Sequence, residues 1–474
     1  MEKNTRGLRD VVRRTALMGS LSFLLPLATI GFVYFGAETV SSQTGRVLRA
    51  QDPGVRGGAA AAGGPLAGIT DHENEYFLAG KEDFEEADEV SEGLGPTMNL
   101  DSCGGCHSQP AIGGTSPAIN PQVAFATANG GRDLVPPFLL ADGPVREARF
   151  VLNRDGTPDG GVHALFTITG RDGAGRCRIE QPDFASEIAN RNVIFRIPTP
   201  TFGLGLVEQI PDSAILANMA DNGSAKALLG IRGRANFSVD GRTISGQTNR
   251  NGNDGTVARF GWKAQNKSLL LFSGEAYNVE MGISNELFQN ERDETANCMF
   301  ASHPNSITNT EAALTTDALS AIEKFAFFMR LLAPPAPSPD KPGGASSIAG
   351  GNKLFNSVGC AFCHTPSFTT GNSAVAALRN QPVQLYSDLL VHDMGEGLAD
   401  GVSQGQAGPR EFRTAPLWGL GQRIFFLHDG RTSDLAAAIR AHQSLLSEAN
   451  GVIQNFLGLT ENQKQDLYNF LRSL

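Results

Sequence analysis

The sequence lacks the features that mark several common classes of function. Its 39 Lys and Arg against 49 Asp and Glu give a formal net charge of −10, which argues against a nucleic-acid partner. The segment GLGLVE, residues 203–208, lacks the third glycine of a dinucleotide-binding fingerprint, and this excludes nicotinamide binding. Only 6 cysteines occur, and their two Cys-x-x-Cys pairs lie too far apart to enclose one zinc ion.

Four of these cysteines stand in two copies of one motif, SCGGCH at 102–107 and GCAFCH at 359–364. Two cysteines separated by two residues and followed by histidine form the attachment motif of c-type haem. Both thiols bond one porphyrin, and the histidine is the proximal ligand of the iron. A thioredoxin-type redox pair needs no histidine there. The sequence therefore predicts two covalent haems c, held by Cys103, Cys106, His107, Cys360, Cys363 and His364.

The N-terminus predicts export. The 23-residue run from Thr15 to Ala37 is uncharged and mostly apolar, and a basic segment precedes it. Such a run is a signal peptide within 1–42 or a membrane anchor through residues 15–37. A poorly formed cleavage site favours the anchor, whereas Pro26 argues against a straight helix. The basic flank would stay in the cytoplasm, and haem c is attached outside the bacterial inner membrane, so the predicted location is the periplasm.

The chain repeats itself beyond the two motifs, as FRIPTPTFGLG at 195–205 and FRTAPLWGLG at 412–421. Residues 314–332 and 459–474 are also alike, each with helical spacing and a threonine N-cap candidate. We therefore predict a mainly α fold with two cytochrome c-like haem domains related by internal duplication, at 70–333 and 348–474. A loop- and strand-containing insertion, with HALFTIT and NRNGNDG, enlarges the first domain. Composition predicts a flexible tether at 43–69 and a linker at 334–347.

Two features outside the motifs each allow two interpretations. Cys177 and Cys298 form a disulfide in an oxidising compartment, or they are two separate buried thiols. The acidic run KEDFEEADEVSE at 81–92 is a solvated helix face, or it is a docking patch for a basic electron-donor protein.

Three segments resemble a known family. GLGPTMNLDSCGGCH, FGWKAQNKSLLLFSGEAYNVEMGIS and FFLHDGRTSDLAAAIRAH are similar to the di-haem oxidoreductases classed as peroxidases. That family is related to bacterial di-haem cytochrome c peroxidases and to the di-haem enzyme that matures methylamine dehydrogenase. The resemblance covers residues 70–474 and implies an oxidoreductase. Relatives hold a calcium ion between the haem domains, so calcium is an expected cofactor, although no ligand for it is identified in this sequence.

The resemblance also implies a sixth ligand for the second haem. In the related peroxidases a helix shortly after a His-Asp-Gly turn supplies the distal ligand of the electron-relay haem, often a methionine. His442 stands at that place here, which predicts a bis-histidine iron with His364 and a lower potential. The alternatives are a surface histidine at 442 and the rival ligands His392, Met394 and His428.

The corresponding place in the first half carries Glu280 and Met281. In the related peroxidases a glutamate before methionine moves protons during O–O cleavage, and Glu280 matches it. A buried carboxyl with a raised pKa suits that role. The alternatives are a solvated loop glutamate and ligation of the iron by Met281. Trp262 resembles the tryptophan that relatives place between the haems, or else it only packs in the core.

The sequence thus predicts an enzyme with an active-site haem in the first domain and an electron-relay haem in the second. The asymmetry of the distal positions favours this function, since a non-catalytic electron-transfer cytochrome would have both irons closed. The expected oxidant is peroxide, and the expected electron donor is a small cytochrome or a quinol. If electrons flow in the opposite direction, the same chemistry would oxidise an unidentified organic or protein substrate.

Overall fold

The computed structural model describes residues 49–57, 59–131, 135–136, 138–163, 171–244, 247–249, 251–290, 297–298, 304–337 and 340–474. The predicted signal or anchor segment and residues 164–169 of HALFTIT lie outside this range. No helix in the described ranges is long and apolar enough to cross a bilayer.

Helices predominate over strands, as the sequence predicts. In chain order the α-helices are α1 Asp71–Glu85, α2 Cys103–Cys106, α3 Pro121–Ala128, α4 Phe184–Ala189, α5 Leu204–Glu208, α6 Asp212–Ala220, α7 Gly223–Leu229, α8 Leu269–Met281, α9 Thr315–Ala318, α10 Ala321–Leu331, α11 Gly344–Val358, α12 Leu435–Ala441, α13 Asn450–Leu457 and α14 Glu461–Ser473.

The strands are short. They are β1 Glu147–Phe150, β2 Val162–His163, β3 Val193–Arg196, β4 Asn236–Phe237, β5 Thr243–Ile244, β6 Gln247–Thr248, β7 Val257–Ala258, β8 Phe368–Thr369, β9 Pro382–Val383, β10 Val391–Asp393 and β11 Glu411–Arg413. The largest described sheet has the order β2-β1-β3, and both of its pairings are antiparallel. The other described sheets are two-stranded.

Helices α1 and α10 pack closely beside the first Cys-x-x-Cys motif. Thr70 begins α1 with a reciprocal capping box to Glu73. Gly80 of α1 lies against the backbone of α10 at Lys324, where a Cβ atom would collide. This close approach lets the rings of Phe84 and Phe328 meet at 4.9 Å. The packed pair of α1 and α10 thus lies directly against the first motif.

Helices α11 and α14 form the matching pair beside the second motif. Thr460 begins α14 with a capping box, as the threonine N-cap prediction requires. The equivalent prediction in the first half is wrong, because Ser320 caps α10 and the threonines lie in the separate short helix α9. Phe355 of α11 meets Phe470 of α14 at 5.4 Å.

The repeated Phe-Arg…Gly-Leu-Gly segments adopt the same local structure. Each begins in a strand, β3 or β11. Each then reaches a glycine in the left-handed region, Gly203 at φ 66° or Gly419 at φ 72°, and enters a short helix. A side chain at Gly203 would also collide with Trp418 of the other copy.

Residues 49–69 do not behave as the predicted flexible tether where the structure describes them. Asp52 accepts two hydrogen bonds from the buried guanidinium of Arg472, at 2.7 and 2.6 Å. The amide of Leu66 donates to the carbonyl of Leu331 at 2.8 Å. The described part of the stretch is therefore a strap along the body, and Gly63 packs so closely that a Cβ atom there would collide with Ala111. Residues 48–474 form one compact unit, and the boundary between two haem domains stays a prediction.

Candidate functional site

Both Cys-x-x-Cys-His motifs lie on tight helical turns. Cys103 to Cys106 form α2, which Ser102 caps by accepting from the amide of Gly105. Cys360 to Phe362 form a 3-10 turn after Gly359, which has a φ of 107°. A helical turn brings side chains three residues apart to the same side. Each turn therefore presents two thiols in the direction that bonding to one porphyrin requires.

Three histidines share one arrangement that leaves a ring nitrogen free. The Nδ1 atoms of His107, His364 and His442 lie 2.9, 3.1 and 2.9 Å from the carbonyl oxygens of Gly114, Tyr386 and Ala438. A carbonyl only accepts, so each Nδ1 carries the proton and each Nε2 offers its lone pair. Orienting bonds of this type are usual for metal-ligating histidines.

Burial keeps these imidazoles neutral. It lowers the pKa of His107 and of His442 below the ordinary value. The pKa of His364 falls to about 4, because of burial first and the facing His442 second. Neutral imidazole is the form that binds iron.

The first motif opens into a cavity, here called cavity 1. Its lining brings together Cys103, His107, Trp262 and Glu280, which are distant in sequence. Glu280 lies on the last turn of α8, so it is a cavity-lining helix residue and not a solvated loop glutamate.

The pKa of Glu280 lies well above the usual range for glutamate. Burial is the largest cause, followed by the charge of Glu147 and a hydrogen bond between the two carboxyls. Glu147 has the opposite shift. Burial opposes its ionisation, but the charge of Arg149 and the hydrogen bond with Glu280 outweigh burial and lower its pKa. Of the two carboxyls in cavity 1, Glu280 is thus the one that favours the proton and Glu147 the one that favours ionisation.

Met281 does not line cavity 1. Its sulfur lies 3.8 Å from the sulfur of Cys103, and its side chain is buried. This position stacks the methionine against the attachment cysteine and away from the centre of the cavity.

The second motif opens into a larger cavity, here called cavity 2. Cys360, Cys363, His364 and His442 all line it. His442 is the C-cap of α12, which Asp434 begins by accepting from the amide of Ala437. The structure therefore places a second neutral imidazole in cavity 2 with its Nε2 free.

The rival histidines of cavity 2 differ from His442 in their contacts. His392 lies 2.9 Å from Asp388 through Nε2 and 2.9 Å from Glu448 through Nδ1. Burial opposes a charge on His392, but Cys363 and Asp388 raise its pKa well above the usual value. With both nitrogens held by carboxylates, His392 has no ring nitrogen left to bind an iron. His428 is neutral, with a pKa lowered by burial to about 4, and its ring stacks on Phe412 at 4.3 Å.

Trp262 lines both cavities. Its indole nitrogen donates to the carbonyl of Ile197 at 2.9 Å, and the side chain is buried. The ring of His428 lies edge-on at 6.4 Å. The indole therefore borders both cavities and also packs in the core, and its role between two haems stays a prediction.

Buried arginines show that each cavity fits an anionic cofactor. Arg413 and Arg423 line cavity 2, and burial lowers the pKa of each to about 10. In cavity 2 the Nη2 of Arg423 is buried without a partner. In cavity 1 the guanidinium of Arg196 pairs with Asp400 at 2.6 Å, and its Nε is buried without a partner. A buried polar group without a partner is costly. The propionates of a haem would supply acceptors for these two groups, so the residues present fit a haem in each cavity.

Sequence reasoning missed Glu147, Arg149 and the buried arginines. A sequence pattern could have pointed to two of the arginines, since Arg196 and Arg413 are the arginines of the two Phe-Arg repeats and each lines the cavity of its own half. No sequence pattern pointed to Glu147, because only the pairing of β1 with β3 brings it to cavity 1. Cys177 and Cys298 form a disulfide.

The predicted calcium ion stays untested. In the GNDG turn at 252–255, Asp254 pairs with Lys267 at 2.6 Å. Among the described residues, one group has metal-ligand geometry, formed by Cys363, Asp388 and His392, and Cys363 belongs to a haem motif.

Comparisons with known proteins agree with this site. The model of a family described as "Di-haem oxidoreductase, putative peroxidase" matches residues 155–474, which include the second motif and Glu280. Among solved structures, hydrazine synthase of Kuenenia stuttgartiensis, pressurised with xenon, is similar at 19% identity with a TM-score of 0.21. That match covers 34% of this chain and 56% of the other, so it carries no argument about function. No curated protein matches the chain.

Proposed function

The chain belongs to the di-haem oxidoreductase family, and on this basis we propose that it is a periplasmic peroxidase-like enzyme. In this proposal the active-site haem is attached at Cys103 and Cys106 in cavity 1. The electron-relay haem is attached at Cys360 and Cys363 in cavity 2.

One observation carries the proposal, namely the different distal groups of the two cavities. Cavity 2 is lined by both His364 and His442, which would supply two protein ligands to a haem iron and would suit electron relay. In the described lining of cavity 1, His107 is the only histidine, and carboxyls stand in place of a second imidazole. An open coordination position is what substrate binding requires.

The reaction sets a proton requirement that cavity 1 meets. Reduction of peroxide consumes two electrons and two protons and releases two waters. A haem in cavity 1 would supply the iron at which the O–O bond is reduced. Glu280 is protonated at neutral pH and lines the cavity, so it can give a proton to the departing oxygen.

Trp262 provides the contact between the two cavities. Its ring lines both of them, and its hydrogen bond to Ile197 holds the indole in one orientation. We propose that electrons pass from cavity 2 to cavity 1 through this indole. The next residue in the chain, Lys263, is buried, and its ammonium group is held in an ion pair with Asp400 at 3.0 Å.

Two features support the proposed compartment. The disulfide between Cys177 and Cys298 fits an oxidising compartment such as the periplasm. The apolar run at 15–37 would anchor the protein in the inner membrane if it is retained. We propose a small cytochrome or a quinol as the electron donor, and an organic or protein substrate if the enzyme runs in the oxidative direction.

The test is peroxide turnover by the full chain carrying both haems, with a small artificial electron donor. Glu280→Gln should lower kcat by about 100-fold and leave KM nearly unchanged, because the proton is needed only during the chemical step. The absorption spectra of both haems should stay as in the wild type.

Glu311→Gln is the matched control, since Glu311 is an exposed glutamate far along the chain from the cavity residues. It should leave turnover unchanged. An inert wild type, or equal turnover in Glu280→Gln and Glu311→Gln, would contradict the proposed function.

A further inference from the structure

Glu147 and Arg149 reach cavity 1 from one face of β1. Residues two apart on a strand point to the same side, and both side chains line the cavity. The Nε and Nη2 of Arg149 lie 3.0 and 2.9 Å from one carboxylate oxygen of Glu147. The Nη1 of Arg149 donates to the carbonyl of Gly160 at 3.0 Å, which fixes the guanidinium. Glu147 is thus held in place on a rigid strand.

The third member of this group comes from another element. Glu280 lies on the last turn of α8 and shares a hydrogen bond with Glu147. Two buried carboxylates in contact cannot both carry a charge at low cost, so a carboxyl pair of this kind holds one proton. The arginine decides where the proton resides, because it stabilises the ionised form of the carboxyl that it touches, which is Glu147.

We propose that Glu147, anchored by Arg149, is the proton partner of Glu280, which it keeps protonated and oriented into cavity 1. This inference rests on the proposed function and assigns Glu147 a positioning role in it. In each turnover the O–O bond of peroxide breaks, two electrons arrive from the external donor, and two waters leave. Glu280 gives one of the two protons, and the pair regains it from solvent.

The charges around the pair support this assignment. Arg149 and Arg196 are the cations that favour ionisation of Glu147, and Arg196 pairs with it across the β1–β3 register. Glu275, one turn earlier on α8, adds a negative charge that favours the protonated form of Glu280. A purely structural ion pair would be complete with Glu147 and Arg149 alone. The added contact with Glu280, at the cavity wall, is what a proton-sharing pair requires.

The test measures protonation directly, by infrared difference spectroscopy of the holoprotein with H/D exchange. The wild type should show a carbonyl band of a protonated carboxylic acid that Glu280→Gln removes, while the band of Asp88, with its pKa of about 7, stays in both proteins. In Glu147→Gln the Glu280 band should be lost at a lower pH than in the wild type, because the competing carboxylate is gone and Arg149 remains, although burial still favours the protonated form. The band should be unchanged in the control variant Glu311→Gln.

Turnover supplies the second measurement. In Glu147→Gln turnover should fall away at a lower pH than in the wild type, because Glu280 loses its proton at a lower pH. A band and a pH profile in Glu147→Gln that match the wild type would overturn the proposal. A Glu280→Gln variant that loses no acid band would also overturn it, because Glu147 would then be the protonated member.

The two proposals fail separately. If the wild type shows the band behaviour but no peroxide turnover, the carboxyl pair is supported and the peroxidase function is wrong. If Glu147→Gln does not fold with its haems, the Glu280→Gln spectrum still decides which carboxyl is ionised.

Discussion

Asp52→Asn should destabilise the protein strongly, because it breaks a buried ion pair that ties the strap to the C-terminal helix. Arg472 is 1% exposed as a side chain and donates through Nε and Nη2 to the two oxygens of Asp52. Its Nη1 donates to the carbonyls of Leu420 and Arg423. The substitution keeps the size of residue 52 and leaves the guanidinium buried with a neutral partner.

The magnitude follows from the burial of the pair. Removing one partner of a buried ion pair costs about 3–5 kcal/mol. The Asp52 side chain keeps 14% exposure, so water reaches part of it, and we expect about 3 kcal/mol, the lower end of that range. A free tether at 49–69 would give no loss at all.

The pH dependence of this loss has a definite sign. Burial opposes ionisation of Asp52, but its hydrogen bond from Arg472 and other contacts outweigh burial and lower its pKa. A carboxyl with a lowered folded-state pKa contributes stability above its unfolded pKa, and that contribution is lost as the pH falls through the folded value. The difference between wild type and Asp52→Asn should therefore be constant near neutral pH and shrink on acidification below about pH 4.

Urea unfolding followed by circular dichroism measures both effects. Glu85→Gln is the control, since the pair of Lys81 and Glu85 is 33% and 41% exposed and should contribute only about 0.5 kcal/mol or less. If Asp52→Asn cost no more than Glu85→Gln, residues 49–69 would be a tether, and the account of the strap would be wrong.

Three further predictions follow from other contacts. Burial above all raises the pKa of Asp88 to about 7, so the wild type should lose stability relative to Asp88→Asn as the pH rises from about 4 to about 8, and parallel urea-unfolding profiles would contradict this. Replacing Cys177 and Cys298 by Ser should cost about 2–5 kcal/mol in urea unfolding, and the denatured, unreduced wild type should show no free thiol at these positions. Trp262→Phe should slow electron equilibration between the haems in stopped-flow absorbance without changing either haem spectrum, and an unchanged rate would leave the indole with a packing role only.

The haem sites could be predicted because their chemistry is local in sequence. Each Cys-x-x-Cys-His motif requires only one helical turn, and the structure forms that turn twice. His442 and Glu280 were found through resemblance and repeat, and each lies on a helix that reaches the expected cavity. The roles of these residues stay predictions, since the structure shows where they lie and not what they do.

What the sequence did not predict depends on contacts between distant residues. The ion pair of Asp52 and Arg472 joins positions 420 residues apart, so composition alone suggested a flexible segment. Glu147 stands in an ordinary strand sequence, and only the sheet and helix α8 together bring it to Glu280. The N-cap error at α10 has a local cause, because two threonines and a serine compete and the serine has the glutamate that completes a capping box.

The central claim is that the two cavities hold haems with different coordination, and one spectrum tests it most directly. The electron paramagnetic resonance spectrum of the ferric protein should show two haems, one low-spin and one high-spin. Cyanide should convert only the high-spin signal, and His442→Gly should turn the low-spin signal high-spin. Two low-spin signals that ignore cyanide, or a low-spin signal that persists in His442→Gly, would contradict the account.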